Sequence, residues 1–276
     1  MSNVLKRIAS GIGYGALIIA ALLIDKYVFL AVFALLTFMM LQEFFAMTLG
    51  DGYPVSRVFA VLTALAMFLF AFAASAFGVD VKWFIIIAIP LLALMISFLF
   101  VRDRDNLLNF SYLFTGIIYI ALPMAVTNFL IFDAGGSFDG MVLLFFFVII
   151  WASDVGAYAL GTALGQTHGK KLCPSISPKK SWIGVFGGLF FAMAAAAAMS
   201  MLPGLDIPLV HALGLSVTIT ASGICGDLFE SQWKRLYNLK DSGNIIPGHG
   251  GILDRLDSSL FAIPSGVLYL MFFNLI

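Results

Sequence analysis

The chain has 276 residues, 62% of them hydrophobic and only 11% charged, with 28 phenylalanines and a mean hydropathy of +1.05. No soluble domain of this size could keep such a surface wet, so the composition excludes one and points to an integral membrane protein, most simply a single domain over 1–276. The formal net charge is zero, so the placement of charge carries more information than its sum, and no nucleic-acid partner is implied.

Lys6 and Arg7 precede an apolar run from Ile12 to Ile24. No small-x-small cleavage site followed by a polar sequence appears, and a second apolar run starts at Tyr27, so the first segment reads as an uncleaved span. Runs of the length a helix needs to cross the hydrocarbon then recur. They lie at 9–25, 27–49, 57–77, 82–101, 107–132, 140–163, 182–202, 208–230 and 253–275. The expected fold is all-α, a polytopic transmembrane helical bundle of about nine spans, at roughly 20 residues each. The N-terminal spans, 1–132, would supply scaffold and lipid groove, and 140–276 the catalytic half.

The cations orient this arrangement, because cytoplasmic loops are enriched in Lys and Arg. With nine spans and the N-terminus inside, one face receives Lys6, Arg7, Arg57, Arg102, Arg104, Lys170, Lys171, Lys179, Lys180, Lys234, Arg235, Lys240 and Arg255, and the other only Lys26 and Lys82. The N-terminus is therefore expected in the cytoplasm. The two longest polar stretches, 164–181 and 231–252, face the same side. Cys173 and Cys225 form no CxxC pair and read as incidental thiols.

Charge concentrates between Ser231 and Asp257, SQWKRLYNLKDSGNIIPGHGGILDRLD. Asp227, Glu230 and Ser231 are spaced i, i+3, i+4 and share a face of the eighth helix, and Asp254, Asp257 and Ser258 repeat the spacing at the start of the ninth. Oxygen-rich sets of this kind suit Mg²⁺ with water and phosphate completing its shell, and equally an interfacial role paired with Arg235 and Arg255. Asp154, inside an apolar run with Tyr158 one turn later, needs the bundle interior as ligand, pocket residue or hydrogen-bonded packing group. Glu43 poses the same question. The lysine-rich GQTHGKKLCPSISPKKS lacks the GxxxxGK[ST] spacing and reads as a phosphate cradle or as a basic loop beside anionic headgroups. His168 alone is a weak signal. His249 lies between glycines that allow close backbone approach to a ligand, and it also suits a structural turn.

Ser231-x-x-Lys234-Arg235, Lys240-Asp241, Pro247-Gly-His249-Gly-Gly and Asp254-Arg255-x-Asp257 together resemble the signature of the phosphatidate cytidylyltransferases, or CDP-diacylglycerol synthases. Three further blocks, Ser153-Asp154-x-Gly-Ala-Tyr158, Ser177-Pro-Lys179-Lys180-Ser181-Trp182 and Gly226-Asp227-x-x-Glu230-Ser231, extend the resemblance over 150–276. Two positions depart from the family's pattern: Ile183 stands where an acidic residue is usual, and Trp233 where a small aliphatic one is.

The resemblance implies transfer of CMP from CTP to phosphatidic acid, giving CDP-diacylglycerol and pyrophosphate. It implies Mg²⁺, with a second cation such as K⁺, a homodimer, and a bacterial inner membrane with the active site facing the cytoplasm. The implied catalytic set is Asp227, Asp254, Lys234, Arg235 and His249. Substrate binding falls to Lys179, Lys180, Ser177, Ser231, Lys240, Arg255 and Asp154. Asp227 and Asp254, supported by Asp257, Asp241 and Glu230, would surround the metal. A CTP-dependent transferase acting on an isoprenoid or ether-lipid phosphate is the alternative enzyme. A transporter is the alternative from another class, but it would place its charges near midplane rather than at one face.

Overall fold

The computed structural model describes residues 3–101, 107–133, 135–165, 169–245 and 250–276, with side chains from Gly11 onward. Apart from one two-stranded hairpin, the regular structure among these residues is helical. The chain divides into two compact units, one formed by 1–139 with 241–255 and the other by 140–240 with 256–276.

The first unit starts with α1 (Asn3–Leu23) and α2 (Lys26–Leu49). Asp25 separates them: its extended backbone leaves the helical region, and its carboxylate accepts from Tyr27 N at 2.7 Å, capping α2. Gly50, at φ 55°, ends α2, and Pro54 opens α3 (Pro54–Phe77), where a missing N–H costs no hydrogen bond. Arg57 turns back to donate to Phe45 O at 3.2 Å and to Gly50 O, so the carbonyls at the end of α2 are met by a guanidinium. Polar side chains inside these helices satisfy themselves locally: Thr37, Thr48 and Thr63 each donate to the carbonyl four residues back.

The apolar segment Val81–Phe100 holds α4 (Ala88–Ser97) between two tighter 3-10 turns. In Leu107–Leu130, α5 (Ser111–Gly116) and α6 (Leu122–Val126) flank a wide turn over Ile117–Ala121, where Leu122 N reaches Ile117 O. Pro123, which has no N–H to give the preceding turn, explains the local widening. The core is aromatic, with Phe29, Phe33, Phe44, Phe45 and Phe68 all fully buried and Phe29 stacked on Phe33 at 4.3 Å.

The second unit is built on α7 (Met141–Leu160), which winds on through a wide turn to Gly165, and on α8 (Trp182–Met199), α9 (Leu209–Leu236) and α10 (Leu253–Phe272, entering from the first unit). α7 and α8 approach backbone to backbone. A Cβ on Gly156 would stand 2.6 Å from Gly187 O, and one on Gly188 2.8 Å from Ser153 O. Only glycine permits that distance, the same device that brings helices together in lipid, where water supplies no drive to associate.

Seven of the described helical segments are long and apolar enough to cross a membrane: Lys26–Leu49, Pro54–Phe77, Val81–Phe100, Leu107–Leu130, Met141–Gly165, Trp182–Met199 and Leu209–Leu236. The expected first and last spans are not among them. The described apolar part of α1 is the shorter Gly11–Leu23, and α10 begins with Asp254, Arg255 and Asp257.

Two boundaries differ from the sequence-based expectation. α9 runs six residues beyond 230, because Lys234 pairs with Glu230 one turn earlier at 2.7 Å and Lys234 and Arg235 suit the negative end of the helix dipole. The stretch 164–181, expected as a loop, contains an antiparallel hairpin, β1 (Lys171–Cys173) and β2 (Ser177–Ser181), in which Lys171 faces Ser181 and Cys173 faces Ser177.

The glycine contact makes a direct prediction. Gly156→Ala should lower the fraction of folded protein recovered in detergent and its melting temperature. Gly13→Ala, where a Cβ meets nothing within 4 Å, should change neither. Size-exclusion chromatography with a thermal melt reads both.

Candidate active site

β2 runs into α8 without a connecting residue. Ser181 closes the strand, caps the helix by accepting from Gly184 N at 3.2 Å, and is 2% exposed. Lys180 and Lys179 are thereby fixed one and two residues before the cap, where the N–H groups of a helix start already favour anions. The other side of the hairpin is tied down by Arg235, whose Nε donates to Ile176 O at 3.3 Å and whose terminal nitrogen donates to Leu239 O.

Lys179, Lys180, Asp154, Tyr158, Asp227 and Ser258 line one cavity of about 610 Å³, whose remaining wall includes Ile150, Val185, Ile219 and Ile224. Its lining therefore combines charged and apolar side chains. Lys180 forms an ion pair with Asp227 Oδ2, and Ser231 donates to Asp227 Oδ1 at 3.3 Å. Asp257 is half-buried, accepts from Ser258 N at 2.6 Å, and lies close enough to Asp227 and Asp154 for both charges to act on it. α9 and α10 come together here because Gly226 has no side chain: a Cβ would meet Asp257 O at 2.5 Å.

A second cluster lies wholly in the first unit. Asp254 Oδ2 accepts from Ser242 N at 2.8 Å, Ser242 Oγ at 2.9 Å and Gly251 N at 2.8 Å. Glu43, 5% exposed, accepts from Ile252 N at 2.9 Å, Leu253 N at 2.8 Å and Ser242 Oγ at 3.2 Å. Gly250 must be glycine on two grounds. Its φ is 85°, and a Cβ would stand 2.7 Å from Asp254 Oδ2 and 3.2 Å from the Asp241 Cβ.

The sequence-derived site residues thus fall in different places. Asp154, Lys179, Lys180 and Asp227 share the cavity. Ser231 serves Asp227, and Ser177 holds the hairpin register. Lys234 and Glu230 are buried and form an ion pair along α9, and the Lys234 charge also acts on Asp257. Asp241, Lys240 and Arg255 are exposed, and the Arg255 carbonyl accepts from Tyr14 at 3.4 Å. His249 and His168 lie outside the described residues. Ile183 is half-buried against Gly165, and Trp233 stacks on Tyr237 with rings 9° apart.

Among the described residues no three Asp, Glu, His or Cys side chains are gathered in a metal-binding arrangement. The donor chemistry still fits a hard cation that keeps its own waters. Asp227, Asp257 and Asp154 bring three carboxylates, with the hydroxyls of Ser231 and Ser258 nearby, and Lys180 is bonded to just one of them.

The family model of the cytidylyltransferases matches residues 5–273, nearly the whole chain. The chain belongs to the cytidylyltransferase family. Its relatives include a phosphatidate cytidylyltransferase of Bacillus subtilis (strain 168), 45% identical over 45% of this chain and 46% of that one. A phosphatidate cytidylyltransferase of Rickettsia bellii (strain RML369-C) is 38% identical over 56% of this chain and 68% of its own length. One from Staphylococcus aureus (strain COL) is 35% identical over 59% of this chain and 60% of its own. The similarity spans about half to two thirds of these cytidylyltransferases.

Two features of the chain escaped sequence reasoning. The Lys180–Asp227 pair joins residues 47 apart, and nothing in the spacing chooses Lys180 over Lys179. Glu43 was visible as a carboxylate in an apolar run, but its partners lie 199 to 210 residues further on.

Lys180→Met should destabilise the protein by about 1–3 kcal/mol, between exposed and buried ion pairs, because it leaves Asp227 among like charges. Adding Asp227→Asn should recover most of that loss. A double-mutant cycle in chemical denaturant measures it, and additive losses would refute the pairing.

Proposed function

We propose that the protein transfers CMP from CTP to phosphatidic acid, forming CDP-diacylglycerol and pyrophosphate. The observation that carries this reading is one cavity whose lining combines Lys179, Lys180, Asp154 and Asp227 with Ile150, Val185, Ile219 and Ile224. A substrate with a phosphate headgroup and acyl chains needs both kinds of lining, and a nucleoside triphosphate needs the charged one. The names of the relatives, phosphatidate cytidylyltransferase in each case, support the same reading.

An oxygen of the phosphatidate phosphate attacks the α-phosphorus of CTP. The bond from that phosphorus to the β-phosphate oxygen breaks, and pyrophosphate leaves with its electron pair. The attacking phosphate is already ionised near neutral pH, so no protein base has to remove a proton. What the reaction needs is alignment of two anions and relief of their repulsion.

Lys179 and Lys180, held at the start of α8, would bind and orient phosphate oxygens. Asp227 and Asp257 would hold Mg²⁺, with Asp154 and Ser231 supporting them. Such an ion neutralises phosphate charge and polarises the phosphorus centre when bound. When a phosphate enters, the Lys180 ammonium can exchange part of its attraction for Asp227 against the ligand, which links phosphate binding to exposure of the carboxylate. Asp254, one carboxylate oxygen of which is held by Ser242 and Gly251, would serve the same reaction as a further acid.

The reading extends to a bacterial inner membrane, an N-terminus and active site on the cytoplasmic side, and a homodimer. The cation count by face supports the orientation. CTP is a cytosolic metabolite, so a site on that side meets its substrate directly.

Purified protein in detergent, with CTP, Mg²⁺ and phosphatidic acid, should release pyrophosphate only when the lipid is present. Asp227→Asn should lower that turnover by about 100-fold or more while the protein remains folded, the scale on which lost transition-state charge stabilisation acts. Lipid-independent release, or none from folded wild type, would overturn the assignment. Turnover with an isoprenoid phosphate in place of phosphatidic acid would transfer it to that substrate class. In a second test, cysteine labelling of intact inverted vesicles should reach a cysteine placed at Ser175 and spare one placed at Asp80; the opposite pattern would reverse the orientation.

A further inference from the structure

Glu43 sits in the middle of an apolar helix, yet it is bonded to both ends of a polar segment some two hundred residues later. Its Oε1 accepts from Ile252 N at 2.9 Å and its Oε2 from Leu253 N at 2.8 Å, the first N–H groups of α10. A helix start presents such groups unpaired and carries partial positive charge, so a buried carboxylate there is stabilised twice over. Its Oε2 also meets Ser242 Oγ at 3.2 Å, and that hydroxyl lies 2.9 Å from Asp254 Oδ2. One hydroxyl thus stands between two carboxylates, and it has a single proton to give.

The backbone is shaped around this contact. A Cβ on Gly243 would stand 2.6 Å from Glu43 Oε1, and one on Gly251 would collide with both Ser242 Oγ and Glu43 Oε2. Two glycines flanking the segment therefore make room for one carboxylate on α2. No hydrogen bond to Glu43 is needed merely to keep α2 helical, so these partners are specific to the segment that carries Asp254.

We propose that Glu43 is a positioning residue for Asp254, acting through Ser242 and through the first turn of α10; this rests on the activity proposed above. The glutamate fixes Ser242 at one end of the segment and residues 252–253 at the other, which leaves Asp254 a single orientation. Its two oxygens are both used, so the amide of Glu43→Gln, with one acceptor oxygen and an NH₂ donor facing an N–H, cannot replace it. Glu43→Asp keeps both oxygens one methylene further back.

The test measures kcat and KM for CTP together with amide exchange of peptides covering 242–245 and 250–256, in wild type, Glu43→Gln, Glu43→Asp, Ser242→Ala and the Glu43→Gln/Ser242→Ala double variant. Glu43→Gln should lose about 10- to 100-fold in kcat, the scale of a misplaced catalytic group, with KM for CTP within about threefold of wild type. Exchange should quicken in those peptides and stay unchanged in α3. Glu43→Asp should regain part of the loss, and the double variant should be no slower than the slower single one. Wild-type kcat in folded Glu43→Gln, multiplying losses in the double variant, or unchanged exchange would overturn the proposal. If Glu43→Gln does not fold, Glu43→Asp and Ser242→Ala carry the same comparison. Should wild type show no turnover with CTP and phosphatidic acid, the proposed activity fails, and the exchange rates alone decide whether Glu43 fixes the segment.

Discussion

A carboxylate carried on a helix among valine, isoleucine and phenylalanine has to find its counter-charge or its donors within the protein, because hydrocarbon offers neither. Three solutions to that constraint organise the molecule. Asp227 takes a lysine from the strand before α8. Glu230 takes Lys234 from the next turn of its own helix. Glu43 takes the exposed N–H groups of a helix start and a serine hydroxyl. Only the first is shared with the cavity, so the same residue type does binding work at one position and architectural work at the others.

Local backbone geometry sets which role each acid plays. α7 and α8 lie close because glycine faces glycine, and Asp154 on α7 lines the same cavity as the lysines of β2. α9 and α10 meet at Gly226, which brings Asp257 into the field of Asp227. Charges at this spacing repel, and Lys180, the Ser231 hydroxyl and the backbone N–H of Ser258 are among the groups that offset them. Carboxylates held this close to one another repel less when a cation stands among them.

Much of this was legible in the amino-acid order. Hydropathy alone placed seven of the nine expected apolar segments to within about six residues, since the requirement for about 20 apolar residues is a length that can be counted. The clustered acids and lysines of Ser177–Asp257 include Lys179, Lys180 and Asp227, which line one cavity, and their resemblance to a known signature named the chemistry to look for. What stayed hidden has a physical reason in each case. The end of α9 was set too early because Lys234 and Arg235 read as loop charges, whereas an i, i+4 ion pair and the helix dipole hold them in the helix. The hairpin at Lys171–Ser181 lacks any alternation of apolar and polar residues, being fixed by its register and by Arg235 rather than by a buried face. Glu43 could not be matched to Ser242 and α10, because a contact across two hundred residues leaves no local trace.

The direct passage from β2 into α8 has one more consequence. With no spacer between the last strand residue and the first helical one, chain length is quantised there. One added residue before Trp182 would move each of Lys179 and Lys180 to the face of the strand opposite its present one, since the side-chain period is two, or would rotate α8 by about 100° beneath them. Either change separates the lysines from Asp227 without altering any side chain. Tolerance for insertion is therefore confined to the hairpin's turn at 174–176, where length can vary without passing through Ser181.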